Sequence, residues 1–184
     1  LTRRSFIRKS AQLGAATIMA GNSYVFAGAS DTIRVGLIGT GGRGTGAGII
    51  DCAESSSGIE LVAMGDLFQD HIDDAPSRIK ANLEKRGLPV DEIYKVTEDS
   101  TFVGFDAYQK VIDSGVDMVI LTTPPNFRPL HFKAAVEAGK HVFIEKPVAV
   151  DPVGVRSIME SSKLAEEKGL TVISGTQMRR LLSN

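Results

Sequence analysis

A glycine-rich turn follows an apolar segment and has the spacing of a phosphate-binding loop. Residues 33–38 are mostly apolar, and Gly39, Gly41 and Gly44 then form the pattern Gly-x-Gly-x-x-Gly. Glycine permits a tight turn at the first position, lets the backbone approach a pyrophosphate at the second, and allows close helix packing at the third. The anion would then lie at a helix N-terminus, where free N–H groups and the helix dipole stabilise negative charge.

An acidic residue follows the loop at the spacing expected for ribose recognition. Residues 60–66 form a second apolar segment, which ends at Asp66, 22 positions beyond Gly44. A carboxylate at this position accepts hydrogen bonds from both ribose hydroxyls of a dinucleotide. A surface turn followed by an unrelated acid is the alternative, but the apolar segments favour a dinucleotide site. The sequence therefore predicts a nicotinamide dinucleotide as cofactor.

Other residues near the loop indicate how the cofactor is held. Thr40, Gly42 and Arg43 lie inside the loop and are predicted cofactor contacts, with Arg43 either touching phosphate or facing solvent. Leu67 and Phe68 follow the acid in place of the arginine that often receives a 2′-phosphate. NAD is therefore favoured as the cofactor, and NADP remains an alternative.

Two further polar motifs follow apolar segments where strands are expected to end. Thr122–Asn126 comes after a segment that ends near Leu121, and Glu145–Pro147 comes after one that ends at Ile144. Ligands of an open parallel sheet lie at the carboxyl ends of its strands. Both motifs would therefore border the crevice that holds the nicotinamide end of a dinucleotide.

These motifs need a parallel sheet to bring them together, and the rest of the sequence predicts one. A glycine follows each predicted helix after the first apolar segments, as is common at helix ends. The strands are almost continuously apolar, which is typical of a parallel sheet covered by helices on both faces. The alternation indicates an α/β fold with a doubly wound parallel sheet. The predicted helices span residues 69–86, 105–114, 129–138 and 152–168, and the later strands span residues 116–122, 141–144 and 170–174.

Taken together, the motifs resemble one enzyme family. The glycine loop, Thr123-Pro124, the run from Ala138 to Val142 and Glu145-Lys146-Pro147 are similar to the glucose-fructose oxidoreductase and inositol dehydrogenase (Gfo/Idh/MocA) family. The resemblance extends over about residues 33–177, and the last two motifs are its most specific part. It implies a Rossmann NAD(P)-binding fold and hydride transfer between the cofactor and a hydroxyl of a small-molecule sugar or polyol.

The resemblance also implies roles for the motif residues. Lys146 is the expected catalytic residue, because its ammonium group can hydrogen-bond the substrate hydroxyl and stabilise the alkoxide that develops as hydride leaves. Glu145 would orient the loop or contact the cofactor, and Pro147 would fix the backbone and is a candidate for a cis peptide bond. Further cofactor contacts are expected from Lys146 itself and from Thr123, Pro124, Asn126 and His131, with capping or packing as the alternative for His131.

Composition and charge argue against several other functions. The chain has 184 residues, a formal net charge of −1 and dispersed basic residues, which do not indicate a nucleic-acid partner. Cys52 is the single cysteine, so an internal disulfide is excluded, and no Cys/His spacing indicates a metal site. His71 and His141 have no partner that the sequence identifies and are interpreted as structural.

The first residues resemble an export signal. Arg3 and Arg4 precede the apolar pair Phe6-Ile7, and the uncharged residues 10–30 are rich in alanine and glycine. This resembles a twin-arginine (Tat) signal over residues 1–29, followed by a dinucleotide-binding domain over residues 30–184. It implies export by the Tat machinery to the periplasm or cell exterior, with the cofactor loaded beforehand and tightly held. A basic amphipathic helix retained as a membrane anchor is the alternative.

The end of the sequence departs from the family pattern. Family members continue past residues 175–180 into a second α/β domain, which supplies the substrate pocket, an Asp/His acid-base pair and the surface of association. The chain ends at Asn184, so we expect a fragment that binds dinucleotide and turns over poorly, and a homo-oligomer when full length. Two other functions stay open: a redox-cycling NAD-dependent glycosidase, which the Glu-Lys-Pro motif disfavours, and a non-catalytic dinucleotide-binding module.

Replacing Lys146 with alanine tests the role that the resemblance implies. Because the ammonium group would act mainly on the developing alkoxide, Lys146→Ala should lower kcat by a larger factor than it weakens cofactor binding. Steady-state kinetics of the complete gene product, together with an NADH binding titration, separate the two effects. An unchanged kcat would remove Lys146 from the chemistry.

Overall fold

The computed structural model describes residues 32–176. The predicted export segment, residues 1–29, and residues 177–184 lie outside the described range. Within that range no helix is both long enough and apolar enough to cross a membrane.

Six parallel strands form one sheet. They follow one another in the order β3-β2-β1-β4-β5-β6 across the sheet. The order reverses between β1 and β4, so the two halves wind outwards from that boundary, and the predicted doubly wound α/β fold is confirmed. The strands are β1 (Ile33–Ile38), β2 (Ile59–Asp66), β3 (Thr101–Val103), β4 (Met118–Leu121), β5 (His141–Glu145) and β6 (Val172–Gly175).

Helices cover the two faces of the sheet. A π-helical turn, Gly44–Gly48, leads into the first helix, and a 3₁₀ turn, Glu98–Ser100, precedes β3. The helices are α1 (Ile49–Ser55), α2 (Gln69–Lys85), α3 (Val90–Ile93), α4 (Ala107–Asp113), α5 (Arg128–Glu137) and α6 (Pro152–Glu167). The first three helices pack with one buried apolar cluster, and the last three pack with another. Side chains alternate across β1, where Val35 and Leu37 enter the first cluster and Ile38 enters the second.

The predicted helix endings are confirmed, whereas one strand was not foreseen. Gly87, Gly115, Gly139 and Gly169 all have positive φ, from 67° to 80°, as expected of glycine after a helix. Strand β3 has only three residues, each partly buried, and it follows a four-residue helix and a 3₁₀ turn. Its apolar signal is therefore too short to be distinguished from a loop.

Glycine-to-alanine changes at Gly36 of β1 and at Gly46 of the π-helical turn give a matched test of how closely helices pack on the sheet. A Cβ at Gly36 would lie 2.5 Å from Cγ1 of buried Val111, whereas a Cβ at Gly46 would meet nothing within 4 Å. We expect Gly36→Ala to lower the free energy of unfolding by about 1–3 kcal/mol through overpacking. Gly46→Ala should leave it unchanged or raise it by up to about 1 kcal/mol, because alanine favours the helix. Urea denaturation measures the free energy of unfolding of both variants. Equal changes in the two would contradict the close packing around Gly36.

Candidate functional site

The glycine loop brings backbone groups together more closely than side chains would allow. Gly39 has φ of 98°, and a Cβ there would lie 2.6 Å from the backbone nitrogen of Thr123. A Cβ at Gly44 would lie 2.1 Å from the carbonyl oxygen of Gly39. At Gly41 the nearest atom would be 3.9 Å away, on His71. The protein itself thus requires the first and third glycines, while the second leaves space beside the backbone.

Asp66 lies at the end of β2 with its carboxylate against the loop. It is 9% exposed, and its Oδ2 accepts hydrogen bonds from the backbone nitrogen of Thr40 at 2.7 Å and from Oγ1 of Thr40 at 3.3 Å. Its Oδ1 accepts from the backbone nitrogen of Phe68 at 3.1 Å and from Nδ1 of His71 at 3.2 Å. The carboxylate is therefore fixed in orientation beside the turn after β1.

A cleft of about 330 Å³ opens at this edge of the sheet. Phe68 and Phe105 stand at it with 56% and 76% of their surface exposed. Its lining is mainly apolar or aromatic away from Asp66, so it suits a flat base better than a charged group. Other lining residues include Gly39, Gly41, Gly42, Arg43, Tyr108, Thr123, Pro124, Phe127, Arg128 and His131.

The loop after β4 is tied to the glycine loop and carries a buried histidine. Oγ1 of Thr122 donates to the carbonyl oxygen of Gly39 at 2.6 Å. Oγ1 of Thr123 lies 3.2 Å from Nδ1 of His131, whose ring stacks on Tyr108 with 4.3 Å between centroids. Burial lowers the pKa of His131 to about 4. His131 is therefore neutral near pH 7 and adds no positive charge to the cleft.

The Glu-Lys-Pro motif lies at the end of β5. Glu145 is 1% exposed, and its carboxylate forms an ion pair with Arg43 of the glycine loop. Nε of Arg43 donates to Oε1 of Glu145 at 2.9 Å. Lys146 is exposed, and the Lys146–Pro147 peptide bond is cis, as the sequence suggested.

The structure brings most of the predicted residues to one edge, with some differences. Five of the predicted residues do not line the cleft: Thr40, Gly44, Asn126, Glu145 and Lys146. Glu145 is nevertheless joined to the glycine loop through Arg43. His71, interpreted from sequence as structural, lines the cleft and bonds to Asp66. His141 fits its structural interpretation, because its Nδ1 accepts from the backbone nitrogen of Thr171 at 2.9 Å.

Sequence reasoning missed several residues at this edge, namely Phe105, Tyr108 and Arg128. Arg128 is 5% exposed, and its Nη1 donates to the carbonyl oxygen of Glu145 at 2.9 Å. Burial lowers its pKa from the usual value, although the charge of Glu145 acts in the opposite direction. The only sequence signal for Arg128 was its place two positions after the Thr122–Asn126 motif, at the expected start of a helix.

The residues present fit a dinucleotide. The glycine loop leaves open space at Gly41 and leads into helical turns, where free N–H groups can hold a pyrophosphate. Asp66 stands where a ribose would lie in this fold, and the cleft beside it has the apolar lining that a base requires. Within residues 32–176, no group of three or more His, Cys, Asp or Glu side chains could hold a metal ion.

Comparison with protein families gives the same assignment. Residues 33–176 match the Gfo/Idh/MocA model, described as an oxidoreductase family with an NAD-binding Rossmann fold. The chain belongs to this family. Its NAD-binding fold and the predicted cofactor are thereby confirmed.

The relatives of this Gfo/Idh/MocA chain include proteins named as glycosyl hydrolases and one named as an inositol dehydrogenase. The glycosyl hydrolase family 109 protein of Streptomyces niveus is 33% identical over 120 residues, which cover 65% of this chain and 22% of the relative. Inositol 2-dehydrogenase of Azotobacter vinelandii is 30% identical over 133 residues, which cover 71% of this chain and 33% of the relative. The chain thus spans a third or less of the length of these two proteins.

Solved structures agree on the fold. The apo scyllo-inositol dehydrogenase of Lactobacillus casei at 77 K superposes with a TM-score of 0.58 and 22% identity, over 82% of this chain and 38% of that one. The WlbA dehydrogenase of Bordetella pertussis, solved with NADH and UDP-GlcNAcA, gives a TM-score of 0.55 and 23% identity, over 81% of this chain and 36% of that one.

The buried His131 predicts a specific dependence of stability on pH. Its pKa is about 4 in the folded chain and near 6.5 when unfolded, so the unfolded state takes up the proton first as the pH falls. The free energy of unfolding should therefore fall between pH 6.5 and pH 4, by up to about 3 kcal/mol, and this contribution should not change further below pH 4.

His131→Phe isolates this effect, because phenylalanine keeps the stack on Tyr108 and cannot titrate. Urea denaturation of both proteins at several pH values gives the difference in their free energies of unfolding. A difference that stays constant from pH 6.5 to pH 4 would contradict the neutral, buried histidine.

Proposed function

We propose that this chain is the nucleotide-binding part of an exported oxidoreductase that transfers hydride between a sugar or polyol hydroxyl and a tightly bound nicotinamide cofactor. One observation carries the proposal: the ion pair of Arg43 with buried Glu145 joins the glycine loop directly to the motif that contains Lys146. The residues that would bind the phosphates and those that would take part in hydride transfer thus lie at one edge of the sheet and are joined by this ion pair.

The adenosine half of the cofactor is assigned to the end of the cleft that Asp66 and Phe68 line. Asp66 would accept hydrogen bonds from the ribose hydroxyls, and its negative charge disfavours a 2′-phosphate, so NAD is preferred to NADP. Phe68 and Phe105 would contact the base, since both are exposed at the cleft. Thr40 orients the carboxylate, and Gly41 and Gly42 would approach the pyrophosphate.

The nicotinamide half is assigned to the loops after β4 and β5. When bound, the nicotinamide ring supplies the acceptor or donor of hydride. Thr123, Pro124, Asn126 and His131 would border this half and Glu145 would hold the loop. The ammonium group of Lys146 would donate a hydrogen bond to the substrate oxygen and stabilise its negative charge as the C–H bond breaks.

Export is proposed from the N-terminal sequence alone. Arg3-Arg4 and the uncharged stretch behind them support passage through the Tat machinery to the periplasm or cell exterior. A protein exported in folded form can carry its cofactor with it, which supports a tightly held dinucleotide. The full-length protein is proposed to be a homo-oligomer, with its substrate pocket and acid-base pair outside this chain.

A second candidate function has a specific observation in its favour. Glycosyl hydrolase family 109 proteins are as similar to the chain as the inositol dehydrogenase is, at 33% and 30% identity. A glycosidase that uses bound NAD for a transient oxidation would need the same cofactor site. The Glu145-Lys146-Pro147 motif supports the oxidoreductase, because such glycosidases tend to depart from it.

The cofactor assignment can be tested on the 184-residue chain by fluorescence titration with NADH and NADPH. Asp66→Ala should raise the Kd for NADH about 10- to 100-fold, which corresponds to losing charged hydrogen bonds to a ribose, and should raise the Kd for NADPH much less. Asp70→Ala is the matched control, since Asp70 is exposed in the first turn of α2. Equal NADH affinity in the wild type and Asp66→Ala would contradict the site.

Product analysis of the complete gene product separates the two functions. With tightly held NAD, a polyol oxidoreductase converts one bound NAD to NADH for each substrate molecule that it oxidises, until a second substrate takes the hydride back. A redox-cycling glycosidase releases free sugar from a glycoside while NADH stays constant. Sugar release without NADH would replace the first proposal with the second.

A further inference from the structure

The buried side chain of Arg128 bonds to the backbone on both sides of Lys146, the residue proposed to take part in hydride transfer. Arg128 begins α5, and its Nη1 donates to the carbonyl oxygens of both Glu145 and Pro147. These two carbonyls belong to the residues immediately before and after Lys146. A single side chain from another element therefore fixes the backbone on both sides of Lys146.

A second arginine reaches the same residue through a carboxylate. Arg43 pairs with Glu145, and Oε2 of Glu145 accepts a hydrogen bond from the backbone nitrogen of Lys146 at 3.1 Å. Glu145 is almost fully buried, so its charge depends on this partner for compensation. Gly175 of β6 makes room for the carboxylate, because a Cβ there would lie 2.7 Å from Oε1.

Stability alone does not account for Arg128. Its Nε is buried without a hydrogen-bond partner, and it makes no ion pair among those formed by residues 32–176. A buried, unpartnered N–H group costs free energy, and an apolar side chain would fill the same volume without that cost. What the guanidinium provides is one nitrogen, Nη1, whose two N–H groups hold two carbonyl groups at once.

We propose that Arg43 and Arg128 are positioning residues that hold Lys146 in place for hydride transfer. This rests on the function proposed above. Arg43 belongs to the loop that receives the pyrophosphate, so it also connects cofactor binding to the placement of Lys146. A displacement of about 1 Å at a reacting group can cost about 100-fold in rate, which sets the expected size of the effect.

The first test needs no ligand. Lys146 donates its amide to Glu145, so hydrogen exchange of that amide, followed by NMR in the 184-residue chain, reports the geometry directly. We expect Arg128→Met and Arg43→Met each to accelerate its exchange at least tenfold, while amides in β1 and β4 keep their protection. Arg86→Met is the control, because Arg86 pairs with Glu54 on the surface. Unchanged exchange at Lys146 in both variants would overturn the proposal.

The second test connects the geometry to chemistry. In the complete gene product, Arg128→Met and Arg43→Met should each lower kcat about 10- to 100-fold. Arg128→Met should leave the amount of bound NAD nearly unchanged, because Arg128 bonds to the backbone around Lys146. A wild-type rate in these variants, or a loss explained entirely by weaker NAD binding, would overturn the positioning role.

The outcomes of these tests distinguish failure of the proposed function from failure of the positioning role. Should the complete wild-type protein transfer no hydride, the proposed function fails, while accelerated exchange at Lys146 would still support the two arginines as the groups that hold it. Should hydride transfer occur and both arginine variants keep the wild-type kcat, the proposed function stands and the positioning role is rejected.

Discussion

The turn after β1 has no room for a side chain at Gly39 or Gly44, and the rest of the candidate site depends on that. A Cβ at Gly44 would overlap the carbonyl oxygen of Gly39, and a Cβ at Gly39 would overlap the backbone that follows β4. The hydroxyl of Thr122 donates to Gly39 and ties the two strand ends together. The first helical turns can therefore begin directly over the boundary between the two halves of the sheet. That boundary is where a dinucleotide crosses in a doubly wound fold.

The β2 side of this boundary carries a negative charge and the β5 side a positive one. On the side of β2, the carboxylate of Asp66 is held by backbone and side-chain donors. On the side of β5, Arg43, Glu145 and Arg128 form a partly buried group with one excess positive charge, next to exposed Lys146. His131 lines the same cleft as Asp66 and is neutral near pH 7, because burial lowers its pKa to about 4. The arrangement suits a ribose on one side and a developing alkoxide on the other.

Local patterns predicted most of the fold, because each depends on few residues. The glycine loop, the glycines after helices and the apolar strands are all short-range signals, and they recovered five of the six strands. Strand β3 was missed because three partly buried residues carry no periodicity. Arg128 and the pairing of Arg43 with Glu145 were missed for another reason. The paired residues are 102 positions apart, and only the folded sheet brings them together.

The central claim is that one sheet edge places the nicotinamide beside Lys146, and a structure of the complete gene product with NADH and a polyol tests it most directly. The account predicts the adenosine ribose on Asp66, the pyrophosphate on the turn after Gly41, and the Lys146 ammonium group hydrogen-bonded to the substrate hydroxyl that faces the nicotinamide. A dinucleotide bound elsewhere, or a nicotinamide ring remote from Lys146, would contradict it.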